Sequence, residues 1–257
     1  MICIGSYEVE QREFGDHALK IFLPPDIDTD LITWLYHDDA ELFTLMCIKR
    51  HYHDKEFNLY MPYCPHARQD RVKNPEDVFT LKYFCEIINS LNFKSVIIED
   101  PHSNVCTALL NNVVVVQPFA HVNEVIRRIN DDGLVLFYPD AGAMKRYENA
   151  FDLPFAYGEK RRNWETGRVE SLEIAGADIV KNNNVLIVDD ICSYGGTFAR
   201  AAKALKEAGA NAVYLYITHC EDNIHKGSIF DEGNIEKVFT TNSIYTSIEN
   251  YDKVVVL

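Results

Sequence analysis

Short apolar runs recur along the chain and are separated by polar or amphipathic stretches. Runs of this length, bounded by turn-forming residues, predict buried strands. The predicted strands are Leu42–Ile48, Phe57–Met61, Ser95–Ile98, Val113–Val116, Leu134–Tyr138, Val185–Val188 and Val213–Thr218. The final segment, 252–257, also has strand character, but the pattern does not assign it to a sheet.

Amphipathic segments between these runs predict helices. Val78–Leu91 has an apolar face at helical spacing, and Thr197–Ala208 is rich in strong helix formers. Alternating strands and helices predict an α/β fold with mainly parallel sheets flanked by helices. A strand in each half ends on acidic residues, so we expect two similar units, 1–115 and 116–257, with ligands at the carboxyl ends of their strands.

Composition and charge narrow the class of partner. The 257-residue chain is 47% hydrophobic and carries a formal charge of −14, from 39 acidic and 25 basic residues. Such a balance opposes nucleic-acid binding, because a polyanion needs an excess of Lys and Arg at the contact. No apolar run approaches the roughly 18 residues of a membrane helix, and no leader pattern is visible, so we expect a cytoplasmic protein with no membrane partner. Seven widely spaced cysteines without a CxxC pair indicate reduced, packed thiols.

The segment 185–209 carries the most chemical information. A buried strand ends on two carboxylates, and a glycine turn then leads into a helix, an arrangement that can hold a sugar and its phosphate. The carboxylates can accept hydrogen bonds from vicinal ribose hydroxyls or hold Mg²⁺ through water. A purely structural turn is the alternative. The predicted sugar-phosphate residues are Asp189, Asp190, Ser193, Tyr194, Gly195, Gly196 and Thr197.

This segment resembles the phosphoribosyl-diphosphate signature of type I phosphoribosyltransferases and of ribose-phosphate diphosphokinases. A second segment, 61–71 (MPYCPHARQDR), resembles the ATP-binding segment that only the diphosphokinases have. REFGDHALKIF, EDPHS, PDAGAMKR, EKRR and THC also match in the family's order. The resemblance implies two phosphoribosyltransferase-like (Rossmann-like) units, with ATP segments in the first and the sugar-phosphate loop in the second.

The resemblance also implies residues that bind ATP. Arg68, Gln69 and Arg71 would contact the nucleotide, as suits planar anion recognition by guanidinium groups. Phe14 would stack on adenine and Asp16 would accept from its amino group, both reaching a neighbouring copy of the chain. A packed phenylalanine, a turn aspartate and solvated surface charges are the alternatives.

Metal and catalytic roles follow from the same resemblance. His102 would ligate the Mg²⁺ carried by ATP, and Asp140 would be the second metal-associated residue; a structural histidine is the alternative. Lys160 and Arg162 would close over the nucleotide phosphates from a mobile loop and act as the catalytic cations. An exposed charge run is the alternative there.

The chain departs from the family pattern in informative places. His17 replaces a usual glycine, Ala18 an acidic residue, and Ser193–Tyr194 a usual Asp-Thr pair. By this resemblance we expect the chain to lack the strand and helix that normally precede the REFGD-like segment and the helix that follows the last strand, which bears on the expected homo-oligomer, a dimer or higher. Tyr194 either packs against the following helix or lines an opening for a larger acceptor, such as ADP-ribose.

We therefore expect a Mg²⁺-dependent enzyme that transfers the β,γ-diphosphate of ATP to the anomeric hydroxyl of ribose 5-phosphate or ADP-ribose, releasing AMP. Alternatives are a phosphoribosyltransferase that consumes phosphoribosyl diphosphate and a non-catalytic regulatory paralogue of the synthetase.

Overall fold

The computed structural model describes residues 1–162, 169–231, 233–247 and 252–257, with the backbone alone for 160–162 and 169–172. The chain divides into two compact units, Met1–Gln117 and Pro118–Leu257. In each unit a mainly parallel sheet carries helices, so the predicted α/β class is confirmed. No helix in the described ranges is long and apolar enough to span a membrane.

The first unit is built on a six-stranded sheet with the order β2-β1-β5-β6-β7-β8. Strands β5 to β8 run parallel to one another, whereas β1 is antiparallel to both of its neighbours. Strands β3 and β4 form a separate antiparallel ribbon. The strands of this unit are β1 (Ile2–Ile4), β2 (Tyr7–Glu8), β3 (Glu10–Glu13), β4 (Leu19–Phe22), β5 (Leu31–Trp34), β6 (Asn58–Tyr60), β7 (Ser95–Glu99) and β8 (Val113–Val116).

Three helices connect these strands: α1 (Ala40–His51), α2 (Thr80–Ser90) and α3 (Asn104–Leu109). Helix α1 corrects the predicted strand Leu42–Ile48. Its first turn contains Glu41 and its last turn three basic residues, which complements the helix dipole. Thr44, Leu45 and Ile48 are buried, a spacing that lies on one face of a helix and on two faces of a strand. The run of apolar residues alone could not distinguish a helix from a strand.

The second unit contains a sheet whose described strands follow the order β11-β10-β9-β12-β13-β14-β15. All neighbouring pairs are parallel except the hairpin β10–β11. Its elements are α4 (Phe119–Ile129), β9 (Val135–Tyr138), α5 (Ala141–Tyr147), β10 (Phe155–Arg162), β11 (Val169–Ala175), α6 (Ala177–Val180), β12 (Val185–Cys192), α7 (Gly196–Glu207), β13 (Val213–Cys220), a 3₁₀ helix (Asp222–Lys226), β14 (Lys237–Thr240) and β15 (Val254–Val256).

Strand β12 is buried on both faces, which explains why its first four residues are all apolar. Val185 and Ile187 join the hydrophobic core on one face of the sheet, and Leu186 and Val188 join the core on the other. Parallel strands covered on both faces have this pattern. Because the chain leaves β9 towards β10 on one side and returns to β12 on the other, a topological switch point lies between β9 and β12, where ligands of open sheets bind.

The other predicted strands are confirmed as β6, β7, β8, β9, β12 and β13, and the predicted helices as α2 and α7. The C-terminal strand, which had no predicted sheet, pairs in parallel with β14. The expected mobile loop at Lys160–Arg162 is instead the end of β10, because these residues pair with β11 in an antiparallel ladder.

We predict that Leu45→Ala destabilises the protein by about 2–5 kcal/mol, since it leaves a cavity under α1, whereas Phe43→Ala changes stability by less than about 0.5 kcal/mol. Leu45 is fully buried and Phe43 is 55% exposed. Urea unfolding measures both. Similar losses for the two variants would contradict the helical assignment, since positions 43 and 45 share a face only in a strand.

Candidate active site

Two carboxylates near the carboxyl end of β12 are held by one guanidinium. Arg146, on α5, donates from Nη2 to Asp189 Oδ1 at 2.9 Å and to Asp190 Oδ1 at 2.6 Å. The Asp190 side chain is 2% exposed and that of Asp189 is 17% exposed. Arg146 therefore offsets part of the negative charge of the acid pair from the protein side, and Asp189 is the carboxylate that a ligand reaches more easily.

Burial raises the pKa of the Asp189 carboxyl well above its usual range, and the charge of Asp190 raises it further. The charge of Arg146 opposes both effects. The cation fixed beside the two adjacent carboxylates favours their ionised forms. The arrangement preserves two hydrogen-bond acceptors of the kind that a ribose diol requires.

Asp140 follows β9 and caps the helix that carries Arg146. Its Oδ1 accepts from the backbone N–H groups of Gly142 and Ala143 at 3.0 and 3.1 Å. This carboxylate therefore fixes the start of α5 at the switch point. A metal role for Asp140 stays a prediction, and it would have to coexist with the cap.

The predicted phosphate loop connects β12 to α7. Gly195 has φ +75°, a conformation that side chains rarely adopt, and the chain turns there into the helix. The first N–H groups of a helix have no intrahelical partner and point out of the turn. Tyr194 is 55% exposed, so much of its ring faces solvent.

One segment of chain, 221–229, forms a wall against this loop, and we call it the loop wall. Glu221 Oε2 accepts from Ser193 Oγ at 2.6 Å. A Cβ on Gly227 would lie 1.8 Å from the carbonyl oxygen of Tyr194, and a Cβ on Gly195 would lie 2.8 Å from Ile229 Cδ1. Successive loop residues thus meet successive parts of the wall, which fixes the loop's backbone.

In the first unit, the ATP-like segment meets the end of β7. Asp70 is buried and binds Arg71 Nε at 2.7 Å. This hydrogen bond lowers the pKa of the Asp70 carboxyl, and a hydrogen bond from Ser103 and the charge of His102 lower it further. Asp70 therefore joins the ARQDR segment to the EDPHS segment.

The remaining predicted ATP residues lie on the surface of the same unit. Arg68 and Gln69 are exposed, and Gln69 Oε1 accepts from Thr80 Oγ1 at 2.6 Å. Phe14 and Asp16 occupy the turn of the β3–β4 ribbon.

That turn keeps Phe14 outside the core. The Phe14 ring is 55% exposed, and Asp16 Oδ1 accepts from the N–H of Ala18 at 3.1 Å. His17 has φ 67°, in the left-handed region that glycine adopts more readily than other residues. The alternative of a packed phenylalanine is therefore wrong. The alternative of a turn aspartate agrees with the structure, since Asp16 accepts a hydrogen bond within the turn.

Lys160 and Arg162 lie on β10, where their backbones pair with Leu172 and Val169. Their side chains lie outside the described part of the chain, so the catalytic role stays a prediction.

Comparison with known proteins decides the family. A profile of the phosphoribosyl transferase domain matches residues 122–249. A ribose-phosphate pyrophosphokinase of Thermococcus kodakarensis is 31% identical over 241 residues, which span 90% of this chain and 81% of that protein. The chain belongs to the ribose-phosphate pyrophosphokinase family. The enzyme of that name from Saccharolobus solfataricus is 27% identical over 85% of this chain and 78% of its own length.

A solved structure also shares the fold of this chain. A crystal structure of phosphoribosylpyrophosphate synthetase from Mycobacterium smegmatis covers 97% of this chain and 85% of that chain, with a TM-score of 0.77 at 19% identity. The fold that the family resemblance implied is therefore confirmed.

Sequence reasoning missed four residues that build the candidate site: Arg146, Glu221, Gly227 and Asp70. Arg146 and Asp70 stand inside segments that match the family, but nothing in the sequence indicated that they hold other side chains. Glu221 and Gly227 had no signal, because only the packing of the loop wall brings them to the phosphate loop.

We predict that Arg146→Met lowers kcat/KM for the sugar acceptor at least about tenfold, because the acid pair then protonates more readily. The acid limb of the pH profile should move to higher pH, since losing a cation raises the carboxyl pKa. Arg146→Lys should retain part of the activity, and Lys145→Met, its exposed neighbour, should change neither quantity. An acid limb that does not move would contradict the assigned role.

We predict that Gly227→Ala reduces kcat/KM for the acceptor by about tenfold or more, because a side chain there collides with the Tyr194 carbonyl and displaces the loop. The KM for ATP should stay within about twofold. Ser228→Ala, in the next position, adds no atom and serves as the control. Steady-state kinetics with each substrate varied separates the two effects, and an equal change for ATP would contradict the local explanation.

Proposed function

We propose that this protein is a diphosphokinase that transfers the β,γ-diphosphate of ATP to the anomeric hydroxyl of a 5-phosphorylated ribose, with release of AMP. The observation that carries the proposal is that one chain contains both a sugar-phosphate loop preceded by an arginine-held acid pair and a family-type ATP segment joined to the end of β7. Relatives named ribose-phosphate pyrophosphokinase support it over most of the chain.

In the proposed reaction the sugar's O1 attacks the β-phosphorus of ATP. A new bond from O1 to the β-phosphorus forms, and the bond from that phosphorus to the α,β-bridging oxygen breaks. The bridging oxygen leaves with AMP, and the O1 proton passes to solvent. Such a transfer depends on alignment and charge neutralisation more than on covalent chemistry by the protein.

Each group of residues has a distinct part in this proposal. Asp189 accepts hydrogen bonds from the ribose hydroxyls while Arg146 and Asp190 hold it in place. The N–H groups at the start of α7, with Ser193 and Thr197, bind the 5-phosphoryl group. For the nucleotide, the proposed residues are Phe14, Asp16, Arg68, Gln69, Arg71 and His102, with Lys160 and Arg162 stabilising the charge that develops on the transferred group.

Magnesium is part of the proposal as the ion that accompanies ATP. Among the described residues no cluster of three or more ligating side chains forms a metal site. This fits Mg²⁺ held mainly by phosphate oxygens and water, with one or two protein groups. Asp140 offers an oxygen donor, and His102 lies beside the ionised Asp70. The ion would neutralise phosphate charge, which suits a chain with a formal net charge of −14.

The acceptor is ribose 5-phosphate or a ribose extended beyond its 5-phosphate, for which ADP-ribose is our candidate. Tyr194 replaces a small residue of the family pattern, and its exposed ring leaves the loop open to a larger group. ADP-ribose has a free anomeric hydroxyl and an adenine that can stack on an aromatic ring.

The proposal also includes assembly of the protein into a homo-oligomer. The β3–β4 ribbon presents Phe14 to solvent, away from the core of its own unit. A neighbouring copy could then receive this ring at its adenine site.

We expect ATP, Mg²⁺ and either sugar to yield AMP, with no AMP after chelation by EDTA. Chromatography of the products tests this, and release of ADP or orthophosphate would contradict diphosphate transfer. Formation of a nucleotide from phosphoribosyl diphosphate without ATP would instead favour a phosphoribosyltransferase.

With ADP-ribose as acceptor, Tyr194→Thr should lower kcat/KM about tenfold, since base stacking on an aromatic ring is worth about 1–3 kcal/mol.

A further inference from the structure

Three buried cysteines from distant parts of the first unit meet beside its ATP-like segment. Cys64 lies within that segment, Cys85 on α2 and Cys106 on α3. The Cys106 thiol donates to Cys64 Sγ at 2.7 Å, and Cys85 makes hydrogen bonds with both. None of the three is more than 3% exposed. We call these three residues the thiol cluster, and tertiary packing assembles it.

The sulfurs of Cys64 and Cys106 are close to bonding distance. Both thiols are free in the structure. A disulfide joins its sulfurs at ~2.0 Å, so the 2.7 Å contact becomes covalent after a movement of less than about 1 Å. The fold therefore brings together a reduced pair that an oxidant can join with little rearrangement.

The Cys85 side chain is the member of the cluster that favours the reactive thiolate. Hydrogen bonds from Cys106 and Cys64 lower the pKa of its thiol, and the charge of His66 lowers it further, whereas burial raises it. Hydrogen bonds with Cys106 and Cys85 raise the pKa of Cys64 well above its usual value. Because the thiolate rather than the thiol is the nucleophile, an oxidant small enough to enter the cluster reacts first with Cys85.

Hydrogen peroxide has the required size and accepts the two electrons that one disulfide releases. The Cys85 thiolate attacks a peroxide oxygen, which forms a sulfenic acid and releases hydroxide. The Cys64 thiol then attacks the oxidised sulfur and releases water. Cys106 displaces Cys85 from the new bond, and its proton combines with the hydroxide. Cys85 leaves readily as a thiolate, because a thiol of low pKa is the better leaving group.

A bond between Cys64 and Cys106 connects the two segments that carry proposed nucleotide residues. Cys64 lies four residues before Arg68, and Cys106 lies four residues after His102. Formation of the bond pulls the two segments together and removes the hydrogen bonds of the cluster. A displacement of about 1 Å in a substrate-positioning segment can lower a rate about a hundredfold.

We propose that the thiol cluster is a redox-modification site, at which hydrogen peroxide joins Cys64 to Cys106 and the disulfide lowers the use of ATP until a thiol reductant breaks it. Formation of the bond is independent of the proposed function, whereas its effect on ATP use rests on that function.

Peptide mass mapping, after peroxide treatment and alkylation of the remaining thiols, tests the bond. We expect a linked peptide that contains Cys64 and Cys106, and Cys85→Ser should slow its formation at least about tenfold, since the reactive thiolate is lost. An unchanged rate would overturn the part assigned to Cys85. The absence of this peptide, or a link between Cys192 and Cys220, which are neighbours on β12 and β13, in its place, would overturn the proposal.

Steady-state kinetics before and after peroxide treatment tests the consequence. We expect kcat/KM for ATP to fall at least about tenfold in the wild-type protein and to recover with dithiothreitol. Cys106→Ser should retain the activity of the reduced protein and be insensitive to peroxide, and Cys106→Ala replaces it if the serine variant does not fold. Cys47→Ser, at a partly exposed thiol on α1, is the control and should stay sensitive.

The outcomes distinguish this inference from the proposed function. A linked peptide without loss of activity, or an equal loss in the Cys106 variants, would overturn the regulatory role while AMP formation still supported diphosphate transfer. If the reduced wild-type protein forms no AMP, the proposed function fails. Calorimetric titration of the reduced and oxidised protein with ATP then decides the matter: weaker binding after oxidation supports the inference, and equal binding refutes it.

Discussion

The pairing of Arg146 with Asp189 and Asp190 is the interaction on which the second unit depends. Strand β12 is buried on both faces, and two adjacent carboxylates lie near its carboxyl end. Buried charges are costly unless they are paired and hydrogen-bonded. Because the cation comes from α5, the helix after β9, the interaction also joins the two strands that flank the switch point. The same contacts that make the acids tolerable in the fold keep them available as acceptors.

The phosphate loop is shaped by a part of the chain that follows the next strand. The loop wall contacts Ser193, Tyr194 and Gly195 in turn, through one hydrogen bond and two close backbone approaches. A glycine-containing turn is flexible by itself, since glycine populates many conformations. Contact with the wall selects one of them, so the geometry of the anion site is a property of the packed unit.

In the first unit, too, a buried carboxylate links two segments of the chain. Asp70 accepts from Arg71 and Ser103, which lie in the segments that follow the neighbouring parallel strands β6 and β7. In both units, a buried acid connects segments that chain order separates. The side chains available to a nucleotide or sugar are therefore held by groups that do not themselves need to reach it.

The sequence by itself determined the α/β class, most of the parallel strands and the family, because doubly covered strands are continuously apolar and the ATP-like and phosphate-loop segments are contiguous. It could not decide Leu42–Ile48, where helix and strand both fit a short apolar run and only burial at Thr44, Leu45 and Ile48 shows the period. It also could not reveal Arg146, Glu221 or Gly227 as parts of the site. Their positions depend on which strands become neighbours, which tertiary packing decides, because a contact between distant residues leaves no local pattern in the chain.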